Sequence, residues 1–143
     1  MTPERNRSSS SPGEGEPQGS QLTLSRISNE MVQAQKKYFG RGPTQAKSYL
    51  LDDFLLVVMR GGMTVAESTM LEFGRADLVR SFREEFGNEL ARRMVPRMQE
   101  LTGRTIIGHQ SRIQLDPHIV VEMFFFESEG SASRPDEESP PEG

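Results

Sequence analysis

The chain has 143 residues, 17 Lys and Arg against 21 Asp and Glu, and a formal net charge of −4. It has no cysteine, which excludes a disulfide framework, a thiol nucleophile and a Cys zinc site. Its longest apolar run, Phe54 to Met59, falls far short of the ~20 residues that cross a bilayer, and its first residues show no hydrophobic segment of the secretory kind.

Composition divides the chain in three. Segments 1–20 and 128–143 are rich in Ser, Pro, Gly and Glu and nearly empty of apolar residues. Such segments bury too little surface to offset their ordering entropy, which predicts disorder in both. Residues 21–127 are long enough for one domain with one core. They carry 14 basic and 13 acidic residues, and the two tails carry the other 3 and 8. The acidity is therefore a tail property that serves solubility, and the near-neutral fold gives no general case for nucleic-acid binding.

In chain order, Leu24, Ile27, Met31, Ala34 and Tyr38 recur at three and four residues. That spacing predicts an amphipathic helix over 21–39, its stripe packing on the chain's own sheet. Gly40 stands where a helix C-terminus favours a left-handed residue, and Arg41 places a cation at the negative end of that helix. Pro43 turns the chain out of helix. Residues 46–51 and 54–59 read as two strands of a hairpin about Asp52-Asp53. The second of these is apolar on both alternating sets, the pattern of a central strand. Thr64, Val65, Ala66 and Glu67 form a capping box that opens a short helix reaching Phe73.

From Arg75 onward, Val79, Phe82, Phe86, Leu90, Met94, Met98 and Leu101 predict a long helix lying along the sheet. Pro96 lacks a donor and its ring clashes with the carbonyl four residues back, which predicts a kink or a break near 92–96. The outer face of this helix is expected to hold Arg75, Arg80, Arg83, Arg92, Arg93 and Arg97 among acids, a solvated face of mixed charge. Residues 104–113 and 118–126 read as the last two strands, with Gly108 marking a bulge or a close backbone approach. The resulting class is α+β, a two-layer sandwich of four largely antiparallel strands with helices on one face, in the order α-β-β-α-α-β-β. The strand 118–126 is also apolar on both faces. Either helix 21–39 covers the second face or another copy does, and the pattern is read as a homo-oligomer, a dimer.

Residues that carry chemistry are few. Gly40-Arg41-Gly42 could hold an anion on its turn donors, and Arg92, Arg93, Arg97 and Arg104 form the cationic cluster least diluted by acids. These seven are the candidate contacts for an anionic partner. His109, His118 and Asp116 could be drawn together by strand pairing, but no further ligand cluster follows them, so no metal and no cofactor is expected. No nucleophile, base and orienting group assemble, so the chain is not read as an enzyme.

The runs YFGRGPTQAKSYLLDDFLLVVMRGGMTVAE, LEFGRADLVRSFREEF and LTGRTIIGHQSRIQLDPHIVVEMFFFE resemble the MpsC family, over about residues 24–127. The pieces that carry the resemblance are Gly40-Arg41-Gly42-Pro43, Asp52-Asp53, Gly62-Met63-Thr64 with Glu67, and Leu101-Thr102-Gly103. Met63 and Pro96 depart from the family's pattern. The resemblance brings no catalytic residues. It implies a small soluble accessory subunit of a sodium-translocating, membrane-potential-generating system, cytoplasmic, in peripheral contact with a membrane transport complex. The alternative is a KH-like nucleic-acid-binding module, suggested by the element order, although Phe73-Gly74-Arg75-Ala76 stands where such a module has a GXXG loop.

Overall fold

The computed structural model describes residues 18–128. Most of both tails expected to be disordered lies outside that range. The elements are α1 (Gln18–Phe39), β1 (Gln45–Leu50), β2 (Phe54–Arg60), α2 (Val65–Glu72), α3 (Ala76–Thr102), β3 (Ile106–Gln114) and β4 (Ile119–Phe126). Their order and class are those expected. The sheet is antiparallel throughout, in spatial order β1-β2-β4-β3. The two strands apolar on both sides, β2 and β4, are thus its centre.

Strand alternation sorts the sheet into two faces. On the inner face, Leu55, Val57 and Met59 of β2 lie beside Phe124, Glu122 and Val120 of β4. Ile27 and Met31 of α1, with Ala91 and Met98 of α3, pack on these residues to make the core. Each fully buried aliphatic or aromatic side chain there stabilises by roughly 1.5–3 kcal/mol relative to exposure. Both long helices occupy this face, so α1 does not cover the other one. On the outer face, Phe54, Leu56 and Val58 stand beside Phe125, Met123 and Val121, and Ile119 extends the row. They are screened only in part, and among the described residues no helix lies over them.

Glycines set the close approaches at one end of the sheet. Gly62 has a φ of 91°, and a Cβ there would stand 3.1 Å from the Pro43 backbone. The Gly40-Arg41-Gly42-Pro43 turn and the Arg60-Gly61-Gly62 turn can nest only because that atom is missing. The nesting is tied by Thr44 N–H donating to the Arg60 carbonyl at 2.8 Å.

The periodic reading of the helices needs correction at three places. Tyr38 is exposed, and Phe39 turns inward in its stead, against Phe82 and Phe86. In α3 the buried face runs through Val79, Arg83, Gly87, Leu90, Ala91 and Met98, while Phe82 is 49 % exposed. Gly87 explains the rotation. Its missing side chain lets the helix settle on Ser111, whose Cβ would lie 3.2 Å from an added Cβ, and this turns Arg83 inward from the solvated face expected of it. Finally, of the kink or break expected at Pro96 the break does not occur: α3 runs from Ala76 to Thr102. Pro96 and Arg92 are both exposed, so the Arg92 carbonyl that loses its donor faces water.

The strand ends bear out one smaller expectation and correct another. The register shifts between Ile106 and Gly108, leaving Ile107 bulged and exposed. His109 pairs with Phe124, six positions along β4 from His118, a separation of roughly 20 Å at ~3.3 Å per residue. The histidines therefore do not meet, because the hairpin turn lies next to His118 alone.

Candidate functional site

The capping box does more than start α2. Thr64 Oγ1 accepts from the Glu67 N–H at 3.1 Å, and the Thr64 N–H donates to Glu67 Oε1 at 2.9 Å. The same carboxylate receives Arg83 from α3, with Nε to Oε2 at 2.6 Å and Nη2 to Oε1 at 2.8 Å. Arg83 Nη2 also donates to the Gly62 carbonyl at 3.1 Å. The guanidinium lies 4.0 Å from the centre of the Phe39 ring. One side chain thus joins the end of α1, the turn after β2, and α2 to α3. Arg83 is 5 % exposed and Glu67 6 %. Burial by itself would raise the Glu67 carboxyl, but the Arg83 hydrogen bonds, the Thr64 amide and the Arg83 charge hold it below its usual range. The pair is ionised and matched in fork geometry.

One turn further along α3, Gly87 lies over a second carboxylate. Glu122 of β4 is fully buried. Its Oε1 meets the Ser111 hydroxyl, while Oε2 has no hydrogen-bond partner among the described residues and faces Gly87. Burial pushes this carboxyl up to about 8, against the opposing pull of Ser111 and the Arg83 charge, so it holds its proton at neutral pH. Ser111 is fixed by its N–H donating to Asn88 Oδ1 at 3.0 Å. His118, at the mouth of β4, has neither ring nitrogen bonded among the described residues. Burial, then the Arg83 charge, lowers its pKa, partly offset by Glu67, so the imidazole is neutral.

This buried cluster holds one charged carboxylate and one neutral one, the arrangement by which environments separate like groups. The protonated member is sealed under Gly87, and the ionised member has its oxygens taken by Arg83 and Thr64. Beside it, a pocket of about 350 Å³ opens between α1, α2 and α3. Its walls include Tyr38, Phe39, Met70, Leu78 and Phe82, with Thr64 and Glu67 below. It offers an apolar hollow with polar groups already occupied.

The seven expected contacts do not form one surface. Gly40 is left-handed, with φ 84°, and donates to the Lys36 carbonyl at 2.9 Å as a helix cap. Gly42 packs against Val32 and Lys36 of α1. Arg41 between them is exposed and makes no hydrogen bond or ion pair with another described residue. Arg92 and Arg93 both reach Glu89. Arg97 ties α3 to α1 through Glu30, at 2.7 Å, and also holds Glu100. The Glu30 carboxyl is correspondingly held low, chiefly by the Arg97 hydrogen bond. Arg104 donates to the Asp52 carbonyl at 3.0 Å and stacks on Phe126. It lines a groove shared with Ser20 and Gln21 at the start of α1, whereas Arg41 follows the other end of that helix, roughly 30 Å away for 22 residues at ~1.5 Å each.

Sequence reading missed Arg83 and Glu122. The four-residue series Val79, Arg83, Gly87, Ala91 was present, but an Arg and a Gly hide an inward face from a search for apolar periodicity. Glu122 was visible as the one acid in the strand Ile119–Phe126.

The model of the MpsC family, described as Na+-translocating membrane potential-generating system (MpsC), matches residues 21–128. Searches of curated proteins and of solved structures found no match. No helix among the described residues is long and apolar enough to cross a membrane.

Proposed function

The chain belongs to the MpsC family, and from that premise we propose that it is an accessory subunit of a sodium-translocating, membrane-potential-generating system. It works by protein association and not by catalysis, in the cytoplasm, as a homo-oligomer in peripheral contact with a membrane complex. The observation that supports this reading is the outer sheet face. Seven apolar side chains on two central strands stand together there without a covering helix among the described residues. A contiguous face of this kind is what proteins reserve for partners. The buried cluster of Glu67, Arg83 and Glu122 is closed, its ionised carboxylate already taken by Arg83 and Thr64, which is the pattern of a structural joint.

Within the same reading, Arg41 and the arginines at 92, 93, 97 and 104 meet anionic groups of the membrane complex. Arg41 is exposed for such a contact; Arg92, Arg93 and Arg97 would share their present acids, and Arg104 would leave the Asp52 carbonyl. The test is recovery of the tagged full chain from native membranes, alongside Val121→Glu and Arg41→Ala variants. Recovery with membrane subunits of the sodium system, lost in Val121→Glu and weakened in Arg41→Ala, is the expected result. Equal recovery by all three, or recovery of RNA alone, overturns the reading and favours a nucleic-acid module.

A further inference from the structure

We propose that the outer sheet face is covered by a second copy of this chain, about a twofold axis lying in the interface and perpendicular to the strands. The inference rests on the reading of the chain as an association subunit and names that subunit's first partner.

The size of the face suits a dimer. Four strands ~4.8 Å apart, each presenting about seven residues at ~3.3 Å, span roughly 450 Å² in projection. Two such faces with their side-chain relief approach the ~1,200 Å² at which stable interfaces begin. The pattern also suits one, with an apolar centre and a polar rim. Across the sheet the rows are Tyr49-Leu56-Met123-Gln110 and Lys47-Val58-Val121-Arg112, flanked by Phe54-Phe125 and by Arg60-Ile119.

The rim selects the axis. Among the paired strand residues it holds Lys47, Arg60 and Arg112 and no acid. An axis parallel to the strands would lay each row over itself reversed, bringing Lys47 against Arg112 of the second copy. The perpendicular axis, passing between the Leu56 and Val58 rows, lays each strand over its own copy running backwards. Leu56 then meets Val58, Met123 meets Val121, and Phe125 meets Ile119. The cations meet no cation: Lys47 faces Tyr49, Arg112 faces Gln110, and Arg60 faces Phe54. Lys47 already stands 5.5 Å from the Tyr49 ring within one chain, and an arginine over Phe54 is a favourable stacking partner. The face is therefore complementary to itself in one orientation and repels itself in the other. Two sheets stacked this way lie ~10 Å apart with strands near alignment.

The test joins mass to geometry. The unmodified full chain is expected to sediment at twice 16.1 kDa and to dissociate on dilution. Because the chain has no cysteine, introduced ones report cleanly. A mixture of Leu56→Cys and Val58→Cys chains should cross-link through a short bis-maleimide several-fold more than a mixture of Leu56→Cys and Met123→Cys chains. The reverse preference overturns the axis. A chain that sediments at 16.1 kDa at every concentration overturns the dimer. If that monomer still loses its membrane subunits in Val121→Glu, the association reading survives and only the second copy fails. If the monomer instead binds anionic phospholipid vesicles through this face, the partner is a lipid surface and the proposal is wrong.

Discussion

The two faces of the sheet solve opposite problems. The inner face is buried by α1 and α3, yet it contains Glu122, Ser111 and, at its edge, the Glu67–Arg83 pair. The outer face is apolar across both central strands, yet among the described residues no helix covers it. If burial alone governed sequence, the charges would lie outside and the oily row inside. The inner face tolerates its polar groups because each finds a partner or stays neutral, whereas the outer face keeps apolar groups that are only half-buried. The inner face makes the fold; in the proposed reading the outer face is left for association.

The comparison breaks most sharply at Arg83. Arg83→Met leaves the Glu67 carboxylate buried without its partner, which should cost ~3–5 kcal/mol in chemical denaturation. Replacing both, as Glu67→Gln with Arg83→Met, should return most of that loss. A single-variant cost no larger than that of a surface change would show the pair to be solvated. Next come the phenylalanines at the end of β4. Phe124→Ala on the inner face should cost ~3–5 kcal/mol. Phe125→Ala on the outer face should leave the unfolding of the dilute chain far less affected and weaken self-association instead. Equal losses at both positions would erase the distinction between the faces.

The protonated carboxylate gives a pH signature. Glu122 has its folded-state pKa raised, so the folded chain binds a proton that the unfolded chain has already lost. Stability is therefore unaffected below the ordinary carboxylate range and falls as pH rises toward about 8, with a slope approaching ~1.4 kcal/mol per pH unit. Glu122→Gln should flatten this fall and leave the mutant more stable than the native chain under alkaline conditions, read by thermal melts from pH 5 to 9 (roughly the window of that linkage). A pH slope unchanged in the mutant would place the titration elsewhere. The smallest effect belongs to the exposed arginines of α3. Arg92→Ala should leave the denaturation midpoint where it was, because its pair with Glu89 is solvent-screened on a single helix face.

Much of this architecture was legible in the residues. The Phe54–Met59 run and the Ile119–Phe126 run announced two central strands because side chains on both alternating sets were apolar. Thr64 and Glu67 announced α2 because a capping box is a local device. Gly108 announced the bulge for the same reason. The site was less legible because it is made by tertiary contact. Arg83 reads as surface until Gly87 is known to seat α3 on Ser111. Pro96 reads as a kink or a break until α3 is seen to continue through it with Pro96 and Arg92 exposed. The arginines of 92–104 read as a cationic cluster until Glu89, Glu30 and the Asp52 carbonyl are seen to engage them.

One pair of neighbours tests the account most directly. Val120 and Val121 are adjacent in β4 and point to opposite faces. Circular dichroism and sedimentation of Val120→Glu and Val121→Glu, measured side by side, separate folding from association. Val120→Glu is expected to lose cooperative folding, and Val121→Glu to keep the native spectrum while losing its partner. Loss of folding in both, or retained association in Val121→Glu, would contradict the claim that one face builds this protein and the other joins it to something else.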